Sequence, residues 1–240
     1  MRCTEDKMKV CIIPARSGSK RIPGKNLKAF IGRPIIAYAI DVAKISGLFD
    51  RIMVSTDSEE IASIAKEHGA EVPFLRPADI ADDHATTLDV IKHAIEWLQE
   101  NDARSLDAVC CLYATVPFIR VQDLEKGLTL LDKEQTQYTF AATRFSFPIQ
   151  RSIRINDEGN VDMFWPEHFS TRSQDLETAY HDAGMFYWGK PEAFLSGLPI
   201  FAPHSKAVQI PHFRVQDIDE PDDWIRAEML YQILKQRDEL

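Results

Sequence analysis

VCIIPARSGSKRIPGKN, Val10 to Asn26, carries two signals in series. Val10 to Ala15 is a continuous apolar run of strand length, the pattern of a strand covered on both faces of a sheet. Pro14 to Asn26 is a glycine-bearing, strongly basic loop that leaves this strand at its carboxyl end, where open α/β sheets bind their ligands. Gly18 and Gly24 permit close backbone approach and positive φ, and Arg16, Ser19, Lys20, Arg21, Lys25 and Asn26 offer charged and neutral donors to one anion. Cations this dense suit a triphosphate better than a monophosphate. The loop is not a Walker A motif, since five residues separate Gly18 from Gly24 and Asn26 follows Lys25 where Ser or Thr is required. A GxGxxG fingerprint is absent too. Its position after a buried strand, with no acid nearby, separates it from an ordinary solvated basic turn.

Outward from this loop, short β-rich runs alternate with helical patterns. The expected helices are Pro34 to Ser46, Ser58 to His68, Thr87 to Glu100, Val121 to Glu134 and Pro221 to Leu234. The expected strands are Arg51 to Thr56, Val72 to Leu75, Ala108 to Ala114, Tyr138 to Thr143 and Gly184 to Trp188. Such alternation predicts an α/β fold: a single doubly wound, Rossmann-like, mainly parallel sheet with helices on both faces. Pro34 is expected at a first helical position, Asp57 or Ser58 as the next cap, and Gly69 as that helix's end. The first eight residues, MRCTEDKM, read as a frayed tail, leaving 9–240 as the folded domain.

The chain has 240 residues, 45% hydrophobic and 27% charged, which supplies a core and excludes wholesale disorder. Its net charge is −9, yet Lys7 to Ile40 holds eight basic residues and no acid, leaving −17 on the rest. That balance argues against nonspecific nucleic-acid or anionic-membrane binding and for capture of a small anion near the start. Cys3, Cys11, Cys110 and Cys111 have neither disulfide-framework nor zinc-site spacing and read as reduced thiols. With no membrane-length apolar stretch and no signal-peptide core, the expected location is the cytoplasm.

Two further segments bear on function. Arg144 to Tyr180 breaks the α/β rhythm: RSIRI, the turn at Asn156 to Asn160 and VDMFW read as a hairpin, and Phe145, Phe147, Phe164, Trp165 and Phe169 make the insertion a partner- or ligand-facing arm. DIDEPDD, Asp217 to Asp223, places five acids in seven residues before the last helix. Alternate residues of an extended segment share a side, so Asp217 and Asp219 can hold one divalent ion, while Glu220, Asp222 and Asp223 suit a helix N-terminus. Arg76, Tyr113, Arg172 and the His181–Asp182 pair are weaker islands, each with an ordinary structural explanation. No Ser/His/Asp triad or Cys/His nucleophile arrangement is recognisable.

IIPARSGSKRIPGKN resembles the first signature of the CMP-sialic acid synthetase group of cytidylyltransferases. IMVSTDSEEIASIAKEHGAEVPFLRP resembles the segment that follows it there, and DIDEPDDW the group's metal-binding DxD. Within the group, LYATVPFI (Leu112 to Ile119) stands where LQPTSPLR is usual and AGMFY (Ala183 to Tyr187) where NGxxY is usual. RSQDLETAYHDAGMFYWG looks most like pseudaminic acid cytidylyltransferases of flagellin glycosylation. The resemblance implies a transferase that makes a CMP-activated 2-keto sugar acid from CTP with release of pyrophosphate. N-acylneuraminate or 3-deoxy-manno-octulosonate cytidylyltransferases, and a noncatalytic nucleotide-binding module, are the alternatives.

The same resemblance implies residue roles. Arg16, Ser19, Lys20, Lys25 and Asn26 would hold the CTP phosphates, with the Ala15 backbone and Arg76 near the nucleoside. Asp217 and Asp219 would carry Mg²⁺, with Arg16, Lys20 and both aspartates as the catalytic set. Tyr113, Arg172 and Tyr187 would face the sugar acid, and the arm at about 144–180 would join two chains into a homodimer.

Overall fold

In the computed structural model, which describes residues 7–81, 85–133, 135–237 and 239–240, the opening run forms strand β1 (Lys7–Pro14), an interior strand of a six-stranded sheet. The other elements, in chain order, are β2 (Ala29–Phe30), β3 (Arg33–Pro34), α1 (Ile35–Ser46), β4 (Arg51–Ser55), α2 (Glu59–Glu67), α3 (Thr87–Asn101), β5 (Ser105–Leu112) and α4 (Val121–Leu131). There follow β6 (Tyr138–Arg144), β7 (Ile153–Ile155), β8 (Val161–Met163), β9 (Tyr180–Gly189), α5 (Pro191–Leu195), β10 (Ser205–Gln209) and α6 (Pro221–Gln236). The sheet order is β10-β6-β9-β5-β1-β4, parallel within β5-β1-β4 and within β10-β6, with β9 antiparallel to both its neighbours. This is the expected mainly parallel α/β architecture.

Side-chain alternation explains why β1 and β5 read as unbroken apolar runs. Cys11, Ile13, Cys110 and Leu112 point into one core with Ile36, Ile40, Leu124, Trp224 and Leu234 from α1, α4 and α6. Met8, Val10, Ile12, Val109 and Cys111 point into the other with Ile91, Ile95 and Leu98 of α3 and Phe194 of α5. A strand covered on both faces has no polar side to show. The thiols of Cys11, Cys110 and Cys111 are free and buried, and burial pushes those of Cys110 and Cys111 up. Cys3 lies outside the described residues.

Several boundaries differ from expectation. β1 starts at Lys7 and buries Met8, so the tail expected over 1–8 is shortened from its inner end, and residues 1–6 lie outside the description. Pro34 is the N-cap of α1 rather than its first residue, and Gly47, left-handed at φ 63°, ends that helix. Ser58 caps α2 by accepting from the Ile61 N–H, leaving Asp57 for another task. Val72 to Leu75 makes no strand, only isolated bridges at Glu71 and Leu75. Between β6 and β9, the expected hairpin forms from β7 and β8, closed by the Asn156 N–H donating to the Asn160 carbonyl at 3.1 Å. Phe147, Ile155 and Phe169 of this segment stand exposed. No helix among the described residues is long and apolar enough to cross a membrane.

Candidate active site

The basic loop leaves β1 at its carboxyl end and is tied down at three points. The Ala15 N–H donates to the Ser55 carbonyl at 2.9 Å, extending the β1–β4 pairing, so this amide is spent on the sheet. The buried Asn26 side chain donates through Nδ2 to the Arg16 carbonyl at 2.9 Å and closes the neck of the loop. Asp57 accepts both the Ser17 N–H at 2.8 Å and the Ser17 hydroxyl at 2.6 Å. Burial raises the Asp57 pKa, but the Ser17 bonds and Arg76 outweigh it and hold the carboxyl below its usual range. Gly24 at φ +62° supplies the left-handed turn that L side chains disfavour, whereas Gly18 has no positive φ. The loop does not run directly into a helix: the short β2–β3 hairpin intervenes before α1.

The loop opens onto a cleft of about 550 Å³ lined by Arg16, Ser19, Lys20, Lys25, Arg76 and Asp219, among others. Arg76 is 6% exposed and donates from Nε to the Ser55 hydroxyl at 3.1 Å and from Nη2 to the Ser55 carbonyl. Burial lowers its pKa, opposed by Asp57. Across the cleft stands the acidic segment. Lys25 Nζ donates to the Ile218 carbonyl at 2.7 Å and to Asp219 Oδ1 at 3.3 Å, and Arg21 pairs with Asp219 Oδ2 at 2.6 Å. Two segments almost two hundred residues apart thus meet as one site.

Asp217 and Asp219 do not share one wall: Asp219 lines this cleft, drawn to the loop cations, while Asp217 lines a neighbouring cavity of about 430 Å³. Burial raises the Asp219 pKa, but Lys25 and Arg21 outweigh it and hold the group low. Asp217 is pushed up by burial and by Asp219. The two carboxylates repel at the junction of the cavities, a deficit of positive charge that a divalent cation relieves. Among the described residues no group of three acidic, His or Cys side chains forms a self-sufficient metal site. Magnesium does not require one, since it is commonly held by one or two carboxylates together with substrate phosphates, and this pair fits that use.

The acidic segment is braced from behind. Arg214, on the turn before it, makes a bidentate pair with Asp123 at 2.7 and 3.0 Å and also donates to the Phe118 carbonyl. Both side chains are almost fully buried, and Asp123 also accepts the Arg120 N–H at the start of α4. The clamp therefore links the β5 exit, α4 and the segment carrying Asp217 and Asp219.

Tyr113 lines both cavities and Tyr187 the second. Their ring centroids lie 5.7 Å apart in an edge contact, and the Tyr113 hydroxyl meets Thr87 Oγ1 at 3.2 Å. Arg172 lines neither cavity: it is exposed and paired with Asp175 at 2.7 Å. The structure thus gathers Arg16, Ser19, Lys20, Lys25, Asn26, Arg76, Tyr113, Tyr187, Asp217 and Asp219 around two adjoining cavities, with Ala15 in the strand end beneath, and leaves Arg172 out.

The family model for cytidylyltransferases matches residues 10–232, nearly the whole described chain. The chain belongs to the cytidylyltransferase family. A relative from Campylobacter jejuni, named pseudaminic acid cytidylyltransferase, is 45% identical over 93% of this chain and 96% of its own length. A Helicobacter pylori protein is 42% identical over 87% of this chain and 40% of its own length; its name joins that activity to a UDP-sugar hydrolase. The Legionella pneumophila CMP-N,N'-diacetyllegionaminic acid synthase is 32% identical over 93% of this chain and 96% of its own length. Among solved structures, a CMP:2-keto-3-deoxy-manno-octonic acid synthetase in complex with CTP shares the fold at TM-score 0.66 and 19% identity, over 95% of this chain and 99% of that one.

In this cytidylyltransferase four residues of structural note escape a reading of the sequence alone. Asp57 looks like a helix cap but anchors the loop; the signal was its place at the end of β4, next to the exit of β1. Arg214 and Asp123 carry no motif, and only the fold pairs them. Asp182, whose role is taken up below, was visible only as an acid beside His181.

Proposed function

We propose that this cytidylyltransferase makes the CMP ester of a nonulosonic acid, pseudaminic acid, from CTP and the free sugar acid, releasing pyrophosphate. The observation that carries the reading is the meeting of Lys25 and Arg21 with Asp219: the cations suited to a triphosphate and the carboxylate suited to a metal occupy one cleft. The 45% identical relatives supply the sugar.

The anomeric hydroxyl of the sugar acid attacks the α-phosphorus of CTP in line, giving up its proton to solvent as the new P–O bond forms and the bond to pyrophosphate breaks. Both substrates are anions, so positioning and charge neutralisation do most of the catalysis. Arg16, Lys20 and Lys25 neutralise the triphosphate and the charge growing on the leaving pyrophosphate. Ser19 adds a neutral donor, Asn26 holds the loop closed, and Arg76 with the Ala15 backbone borders the nucleoside. Asp217 and Asp219 would hold Mg²⁺, which when bound supplies positive charge to phosphate oxygens and lowers the pKa of a hydroxyl beside it. Tyr113 and Tyr187 face the sugar.

The enzyme works in the cytoplasm, where its buried thiols stay reduced, and serves flagellin or surface glycan synthesis. The exposed apolar residues of the arm at 144–180 pair two chains into a homodimer in which Arg172 serves the sugar pocket of the other copy. Sedimentation at a dimer's mass, lost when Phe147, Ile155 and Phe169 are replaced by Ser, checks the assembly.

The deciding experiment is pyrophosphate release from CTP and Mg²⁺ with pseudaminate, legionaminate, N-acetylneuraminate and 3-deoxy-manno-octulosonate in parallel. Preference for pseudaminate is expected. Preference for another sugar acid overturns the named substrate, and CTP binding without sugar-dependent release favours a noncatalytic nucleotide module.

A further inference from the structure

Asp182 and Tyr187 are five residues apart on β9. In a regular strand such residues point to opposite faces and stand roughly 17 Å apart. Here they touch, because β9 bulges: Asp182 pairs with Ala142 and Tyr187 with Phe140, so five steps on β9 match two on β6. Gly184, left-handed at φ +60°, makes the bend, and its N–H donates to Asp182 Oδ1 at 3.0 Å. The other carboxylate oxygen accepts the Tyr187 hydroxyl. Bulges of this kind re-aim side chains beside active sites.

A carboxylate only accepts, and a phenol has one proton. With that proton committed to Asp182, the Tyr187 oxygen turns only lone pairs toward its surroundings. Tyr187 is 94% buried and lines the second cavity together with Tyr113, Arg144, His181, His212 and Asp217. Asp182 is remote in sequence from the phosphate loop, and its chain neighbours Ala183 and Gly184 stand where the resembled group has Asn and Gly.

We propose that Asp182 fixes Tyr187 as an obligate hydrogen-bond acceptor in the sugar pocket, so that this site selects a sugar acid presenting an N–H or O–H donor there. Asp182 is a positioning residue: it borders the same cavity, but its two carboxylate oxygens are engaged by the Gly184 N–H and the Tyr187 hydroxyl, so it acts through Tyr187. The inference rests on the proposed cytidylyl transfer and deepens it by naming what the pocket reads. A carboxylate placed at Tyr187 meets lone pairs only, so the acid group of the substrate is directed to the donors Arg144, His181 or His212.

The test compares wild type, Asp182→Asn, Tyr187→Phe and the double variant, measuring kcat and KM for pseudaminate and separately for CTP, with melting temperature for each. Asparagine keeps the shape of Asp182 but can donate through its amide, which frees the Tyr187 proton to point elsewhere. The expected result is a loss of about tenfold or more in kcat/KM for the sugar in both single variants, with KM for CTP unchanged. The double variant should be no worse than Tyr187→Phe, because Asp182 acts only through that hydroxyl. Undiminished sugar kcat/KM in Asp182→Asn overturns the proposal, and so does a double variant whose loss is the product of the two single losses. If a variant melts early, the same comparison of sugar against CTP is made below its transition, where a general structural defect depresses both and also counts against the proposal. A wild type that releases no pyrophosphate with any sugar acid refutes the proposed reaction instead, a different and separable failure.

Discussion

Replacing Asp57 by Ala tests whether the triphosphate loop is organised before its ligand arrives. Asp57 accepts two hydrogen bonds from Ser17, at 2.8 and 2.6 Å, and its charge offsets that of the buried Arg76 guanidinium. Hydrogen bonds to a charged group each contribute roughly 1.5–3 kcal/mol, and Asp57 is only half-buried, so the lower end of that range applies. Losing both bonds costs the loop on the order of 3 kcal/mol, of which CTP itself restores part by ordering the same cations. A residual of about 2 kcal/mol weakens CTP engagement by roughly 30-fold. Asp57→Asn, which can still accept the Ser17 N–H and donate to its hydroxyl, should lose only several-fold. Calorimetric titration with CTP gives the affinity and steady-state kinetics the KM, with KM for the sugar acid expected to stay unchanged. A CTP affinity within twofold of wild type in Asp57→Ala would falsify the idea that this carboxylate preorganises the loop.

Other perturbations probe the core and the acidic segment. Arg214→Met leaves Asp123 buried without its partner and should cost about 3–5 kcal/mol of stability, read by denaturant unfolding; adding Asp123→Leu should recover much of it, and strict additivity contradicts a paired role. Asp217→Asn should separate stability from turnover. The carboxyl is held above its ordinary pKa, so its contribution to stability is present at low pH and lost as pH rises through the folded pKa; the amide should therefore raise the melting temperature at neutral pH while collapsing turnover, and a lower melting temperature there contradicts the sign. Gly127→Ala, favourable in an exposed helix, should here cost about 1–3 kcal/mol, because the new Cβ would stand 2.7 Å from Trp188 and 2.8 Å from Phe186; a stabilised variant shows that these rings yield.

The fold was legible because β1 and β5 bury both faces, and a strand with no polar face advertises the layers that cover it. The basic loop was legible for a related reason: its cations are local in sequence, and local density needs no knowledge of the fold. Asp219 could be singled out as a candidate acid, but its contact with Lys25 and Arg21 depends on the sheet order that brings the end of the chain back to β1. Asp57, Asp123 and Arg214 act across gaps of forty to ninety residues, and nothing in the spacing of single residues encodes such pairings. Asn26 was read as a phosphate donor; one of its two amide N–H groups goes to the Arg16 carbonyl, a bond set by loop geometry that the spacing does not show. The bulge at Gly184 is likewise silent in sequence, since the same residues in a regular strand would set Asp182 and Tyr187 on opposite faces.

The most direct measurement of the central claim is phosphorus NMR of the chain incubated with CTP, Mg²⁺ and pseudaminate, run beside Asp219→Asn. The prediction is a new phosphodiester resonance from the α-phosphorus growing in equal amount with pyrophosphate, absent without the sugar acid and absent in the variant. CTP left intact by the wild type, or a product formed equally well by Asp219→Asn, contradicts it.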